Sequence, residues 1–341
     1  MSNSRKDVIR NYFSKATGNL DPILTSLNGD NSWMISFPIP QGQRSTKAYY
    51  HIVSDTWLQG VAVTVSSWLV HIGLGSPAAI TTGGEVDALV QEIEDAAKEA
   101  GFVKGDGEPS AKTLDAIFAN FHYPDHLSEP TLRTFSPDIP VIASKESEPI
   151  IRAWGYFNNI VTQKDLDAAD GNWHTLHPGS PLPNWLSVFR LVGHHELNFA
   201  TAMVWSSNAD THEALLYSPH GIKIDQPTLQ TFTHKTTPSI KVKAILHALK
   251  DSFGMGKRFT LGVEGGLALE EETRPKYWIK SHDSMLDYQG AFMRLFVRDY
   301  ARTLESGIQE MLGKKPEGDK LKEERKPNLI DVENGGSFVL E

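Results

Sequence analysis

Hydrophobic and polar positions change period several times along the chain. Near the start, SWMISFPI (Ser32 to Ile39) and AYYHIVSD (Ala48 to Asp55) are rich in aromatic and β-branched residues and flank the polar segment QGQRS, which predicts a hairpin. After the apolar stretch VAVTVSSWLVHIGLG the period becomes helical. Val86, Leu89, Val90, Ile93, Ala97 and Ala100 share one face and Gly101 supplies a stop, so a helix over Glu85 to Ala100 should cover a sheet. LDAIFANF (Leu114 to Phe121) reads as a buried strand running into the polar, Pro-containing loop YPDHLSEPTL. IPVIAS (Ile139 to Ser144) reads as another, followed by a helix carrying Ile150, Ile151, Trp154 and Phe157.

The second half has the same style without repeating the sequence. WLSVFRLVG (Trp185 to Gly193), FATAMVWSS (Phe199 to Ser207) and EALLYSP (Glu213 to Pro219) predict three strands joined by short loops. A helix is expected at about Ser239 to Phe253, a hairpin turn at GVEGGL (Gly262 to Leu267) and a strand at KYWIKS (Lys276 to Ser281). A long amphipathic helix should then carry Met285, Leu286, Phe292, Leu295, Phe296, Leu304, Ile308 and Met311. The order of strands, helices, strands and helices fits an α/β fold, a four-layer αββα sandwich spanning residues 1–312. The charged run GKKPEGDKLKEERKPN (Gly313 to Asn328) opens a C-terminal segment, 313–341. It reads either as a solvated tail or as an arm lying on the body, since SFVLE (Ser337 to Glu341) ends in an apolar cluster.

Composition narrows the chemistry. With 341 residues, 40% of them hydrophobic, the chain can build a sizeable core, and its formal net charge of -9 argues against nucleic acid or an anionic membrane as partner and for a small molecule. The absence of cysteine removes disulfides, thiolate catalysis and Cys-ligated zinc, so any metal must be held by His and carboxylates. MSNSRKDVIRNYFSK lacks an apolar signal region, and no run of about 18 apolar residues could span a bilayer, so a cytoplasmic protein is expected. Ser66 and Ser67 lack a nucleophile-elbow context, which disfavours a serine hydrolase.

Several of the 13 histidines follow predicted strands: His126 after LDAIFANF, His194 after LSVFRLV, His220 after ALLYS and His282 after YWIKS. Loops at strand ends are where rigid scaffolds hold ligands and catalytic groups. In this order the chain resembles the metallo-β-lactamase superfamily over roughly residues 25 to 312, and YSPHG and YWIKSHD look most like poorly characterised fungal members. The family's His-x-His-x-Asp-His motif falls on FHYPDH, where Phe121 and Tyr123 stand at the first two His positions and Asp125 and His126 match the last two. The Gly-His turn falls on VGHH with His194, and with His195 as its neighbour. The bridging Asp falls on LLYSPHG, where Pro219 and His220 stand, and the last His falls on His282.

The resemblance thus implies that the first metal subsite, left with His194 alone, is lost. Asp125, His126, His220 and His282 remain as ligands for one zinc, or iron if positions stay open. Phe121, Tyr123 and His195 become substrate-pocket residues, and Asp125 and His194 the candidates for catalysis. His122 would enter the site only on a one-residue shift of register. Three functions compete: a hydrolase of a small-molecule ester, lactone, amide or thioester with an altered mononuclear site; a metal-free lyase, isomerase or cyclase of secondary metabolism; and a non-catalytic ligand-binding pseudoenzyme.

Overall fold

The computed structural model describes residues 4–64, 66–103, 113–314 and 326–341. Two seven-stranded sheets dominate it. The first runs Ser337–Val339, Ile23–Ser26, Trp33–Pro38, Tyr49–Ser54, Ala116–Ala119, Val141–Ala143 and Ile160–Thr162. The expected hairpin is its antiparallel centre, with Trp33 opposite Ser54, and beyond Tyr49–Ser54 the strands continue in parallel. The second runs Leu329–Ile330, Tyr277–Lys280, Lys241–His247, Thr211–Tyr217, Ala200–Asn208, Leu186–Leu191 and Lys164–Asp165.

Successive side chains on a strand face opposite ways, and here each face has its own core. Ile35, Ile52, Phe118, Leu215, Leu246 and Ile279 point between the sheets and form one buried cluster. Their neighbours Met34, Val53 and Ile117 point outward under helices Arg5–Lys15 and Gly83–Glu99, which supply Phe13, Val86, Val90 and Ile93. Leu216, Ile245 and Trp278 point outward on the other side, under Leu229, Phe232, Val263, Leu269 and Leu304. The layers are therefore αββα, as the order of elements predicts. Helix Gly83–Glu99 starts at a capping box in which the Thr82 side chain and Glu85 exchange bonds with each other's backbone.

Three expected elements are different. The helix placed over Ser239 to Phe253 is instead strand Lys241–His247 followed by strand Asp251–Gly254. Lys241–His247 lies between two parallel neighbours, and after Lys241 and Lys243 at its exposed start the buried stretch Ala244-Ile245-Leu246 is continuously apolar, without the alternation that marks a strand. GVEGGL is not a hairpin turn but the start of helix Gly262–Thr273. A Cβ on Gly266 would collide with the Trp278 ring, so that glycine permits close helix–sheet packing and does not mark a turn. The long helix over Met285 to Met311 is broken into helix Ala291–Phe296, strand Val297–Tyr300 and helix Leu304–Lys314. Its middle is taken by pairing with Asp251–Gly254. Helix Pro227–His234 was not signalled by the hydrophobic period.

Most of the charged run Gly313 to Asn328 lies outside the described residues, but the segment beyond it is tied to the body. Leu329–Ile330 pairs with Tyr277–Lys280 and Ser337–Val339 pairs with Ile23–Ser26, so each sheet gains an edge strand from it. No helix among the described residues is long and apolar enough to cross a membrane.

Candidate metal centre

Parallel pairing puts the C-terminal ends of Tyr49–Ser54 and Ala116–Ala119 on one edge of the first sheet. The ends of Thr211–Tyr217, Lys241–His247 and Tyr277–Lys280 share one edge of the second. Loops leaving these ends bring His126, His220 and His282 together. All three are buried, and one ring nitrogen of each lies within 4.8 Å of the others.

The second nitrogen of each ring is already engaged. His126 Nδ1 donates to Asp55 Oδ2 at 2.9 Å and His282 Nδ1 donates to Asp30 Oδ2 at 2.8 Å, while His220 Nδ1 lies 3.2 Å from the Thr260 hydroxyl. A carboxylate accepts only, so it fixes the proton of a neutral imidazole on Nδ1 and leaves the Nε2 lone pair free. Asn31 Nδ2 is 3.1 Å from His126 Nδ1, but it donates to the Asp125 carbonyl at 2.8 Å. The Nε2 atoms of His126 and His220 are 3.2 Å apart. Two nitrogens about 2.05 Å from a tetrahedral zinc would be about 3.3 Å apart, so the spacing suits a shared cation.

The supporting carboxylates are themselves held. Asp55 accepts the Tyr217 hydroxyl at 2.7 Å and the Asn120 amide at 3.2 Å, and Asp30 accepts the amide and hydroxyl of Ser284 at 3.0 and 2.8 Å. Asp55 and His282 are two of the non-glycine residues with positive φ, at 48° and 57°. That backbone conformation costs on the order of 1 kcal/mol each and persists only where surrounding contacts dictate it.

Charge follows the same geometry. Burial opposes charging His126, but the Asp125 and Asp55 carboxylates outweigh it and push its pKa up. Burial and the neighbouring His282 and His126 push His220 well down. Burial also works against the Asp30 carboxylate, but His282, Lys250 and Ser284 hold it below the usual carboxylate range. Three carboxylates and the Lys250 ammonium thus act on three imidazoles, and a divalent cation at the shared space would take up the carboxylates' charge.

The other sequence-derived candidates separate. Asp125 stays at the rim, its carboxylate 3.7 Å from His126 Nε2 and 16% exposed. Phe121 is buried, its ring centre 4.6 Å from that of His126, 5.2 Å from His220 and 4.4 Å from Phe199. It is therefore packed in the wall behind the imidazoles. His194 and His195 are exposed and line a concavity of about 270 Å³ with Lys145, Glu146, Arg190 and Glu196, outside the three-imidazole group. Burial and Lys223 lower the His194 pKa. Tyr123 donates to Glu196 at 2.6 Å, and burial and that carboxylate push its own pKa up. His122 lies tilted against Tyr123 with ring centres 4.2 Å apart, and stays out of the group. Asp30, Asp55 and Thr260 were not singled out by sequence; the available signal was an acid directly after the strand ending IVS and an acid in the turn GDNS before Trp33.

The sequence matches no family model and no curated protein sequence. Solved structures do match. An isothiocyanate hydrolase from Delia radicum gut bacteria is similar at TM-score 0.51 and 12% identity, over 93% of this chain and 98% of its own. A possible metal-dependent hydrolase from Veillonella parvula DSM 2008 is similar at TM-score 0.51 and 8% identity, over 94% and 99%. The chain has a metallo-β-lactamase fold. Within that fold the three imidazoles lie at the strand-end edge of both sheets, while the FHYPDH loop contributes His126 to the group and Phe121 to the wall.

Proposed function

We propose that this metallo-β-lactamase-fold protein is a metal-dependent hydrolase with a mononuclear centre held by His126, His220 and His282. The observation that carries this reading is the convergence of three imidazoles whose outer nitrogens are already bonded to Asp55, Thr260 and Asp30. Such outer partners fix the tautomer and orientation of metal-binding histidines. Phe121 and Tyr123, a ring without donors and a phenol bonded elsewhere, leave the first subsite of the family pattern with His194 alone, and His194 is exposed outside the three-imidazole group. Three nitrogens and a carboxylate suit zinc, and suit iron if positions stay open.

Bound there, a divalent cation supplies Lewis acidity, acidifying water and polarising the carbonyl of an ester, lactone, amide or thioester. The protein's part is to orient and to move a proton. Asp125 Oδ2, at the rim and partly exposed, is placed to be a fourth ligand or to accept the proton of the attacking water. The buried walls of Phe121 and Phe199 keep solvent from the far side of the imidazoles. The isothiocyanate hydrolase neighbour acts on an electrophilic carbon of another kind, which supports small electrophiles as the substrate class.

A metal-free reading has one observation in its favour: a 3.2 Å contact between His126 and His220, whose pKa values are pushed apart, also describes an imidazolium–imidazole hydrogen bond suited to acid–base work. Chelation separates the two. The hydrolase reading expects activity on an ester or lactone panel to vanish with chelator and return with zinc or iron. Activity indifferent to chelator in metal-free protein would support the acid–base reading.

A further inference from the structure

Lys250 sits between strands Lys241–His247 and Asp251–Gly254, 1% exposed. Burying an ammonium is unfavourable unless its partners compensate, so its contacts indicate what it is for. Its Nζ donates to the Ser284 carbonyl at 2.7 Å and lies 3.5 Å from Asp299 Oδ2. Were Lys250 present only to neutralise Asp299, the shorter contact would go to the carboxylate. Asp299 instead accepts the Tyr288 hydroxyl at 2.8 Å on the same oxygen, while its Oδ1 has no hydrogen-bond partner among the described residues.

The segment His282-Asp283-Ser284 is gripped at every residue. Asp30 binds the His282 ring and the Ser284 amide and hydroxyl, and the His282 amide donates to the Asp30 carbonyl at 2.8 Å. The amides of Leu249 and Lys250 both donate to Asp283 Oδ1, at 2.9 and 2.6 Å. Lys250 closes the remaining side through Ser284. Because His282 is in the left-handed region at φ 57°, the loop depends on these outside contacts for its shape.

We propose that Lys250 is a positioning residue of the metal centre, holding the Ser284 carbonyl so that the His282 imidazole keeps its aim, with Asp299, itself held by the Tyr288 hydroxyl, as the counter-charge that allows the ammonium to be buried. The inference rests on the metal-centre reading above. It also links strand Val297–Tyr300, which carries Asp299, to a ligand loop more than a dozen residues earlier in sequence.

The test uses the full-length chain as wild type, Lys250→Met, Asp299→Asn and the double variant. Zinc affinity is read by competition with a chromophoric chelator, and metal-free stability by thermal unfolding. Lys250→Met should weaken zinc binding by about 10-fold or more and lower Tm, because Asp299 is left uncompensated. The double variant should recover most of the Tm while zinc binding stays weak. If Lys250→Met fails to fold, the double variant carries the comparison. Wild-type zinc affinity in the double variant would overturn the proposal and leave the metal centre standing. A wild-type chain that takes up neither zinc nor iron would overturn both.

Discussion

Asp30→Asn probes the support of the centre without touching an imidazole that would bind the cation. Asp30 Oδ1 accepts the Ser284 amide and hydroxyl, and Oδ2 accepts His282 Nδ1. An asparagine can accept on one side only. The Ser284 amide cannot reverse its role, so the new side-chain oxygen must face Ser284 and the new NH2 must face His282 Nδ1. That donor selects the tautomer protonated on Nε2 and removes the lone pair from the shared space. Changes of this kind typically weaken metal binding about 10- to 100-fold, which is about 1.4–2.8 kcal/mol. Metal-free protein should also lose about 1.5–3 kcal/mol from the charge-assisted bond to Asp30. The assays are chelator competition for zinc and urea unfolding with and without metal, with nitrogen chemical shifts of His282 reporting the tautomer. Because the Asp30 pKa is depressed in the fold, its contribution is present above the ordinary carboxylate value of about 3.9 and is lost as pH falls through the lower folded value. The variant should therefore lose that part of the acid limb. Unchanged zinc affinity with the proton still on Nδ1 would refute the reasoning.

Other perturbations test separate parts of the account. His194→Ala should leave zinc affinity unchanged, because His194 is exposed and outside the imidazole group, and a loss measured by metal titration would return it to the ligand set. Phe121→Ala should cost about 3–5 kcal/mol in urea unfolding, since its buried ring packs on Phe199, His126 and His220. His247 is buried, its Nε2 has no hydrogen-bond partner among the described residues, and burial pushes its pKa down to about 4. Between that value and about 6.5 the unfolded chain binds a proton that the fold does not, so His247 makes stability fall as pH drops, by about 3 kcal/mol in all. His247→Leu should flatten this slope, and an unchanged profile would show that His247 titrates normally. Zinc affinity itself should rise with pH above about 6.5, because the raised pKa of His126 keeps a proton that the cation must displace.

The αββα order was legible because the aromatic and β-branched content of Trp33–Pro38 and Tyr49–Ser54 and the helical period of Gly83–Glu99 are strong local patterns. It failed at Lys241–His247, whose buried end Ala244-Ile245-Leu246 carries no alternation, and where the packing of Gly266 against Trp278 disguised a helix start as a turn. At the site, three histidines could be read as strand-end residues, but their convergence depends on which strands are parallel neighbours. Asp30 and Asp55 escaped because they act through His282 and His126 from loops far away in sequence. His194 drew attention through a Gly-His turn that the structure leaves exposed at a neighbouring concavity.

The most direct measurement is the metal content of purified chain after reconstitution with zinc or iron, by elemental analysis, in wild type and in His126→Ala, His220→Ala and His282→Ala. One tightly held ion per chain, bound through imidazole nitrogens by X-ray absorption and lost in each of the three variants, is the expected result. No bound metal in the wild type, or an ion that all three variants retain, would contradict the three-imidazole centre.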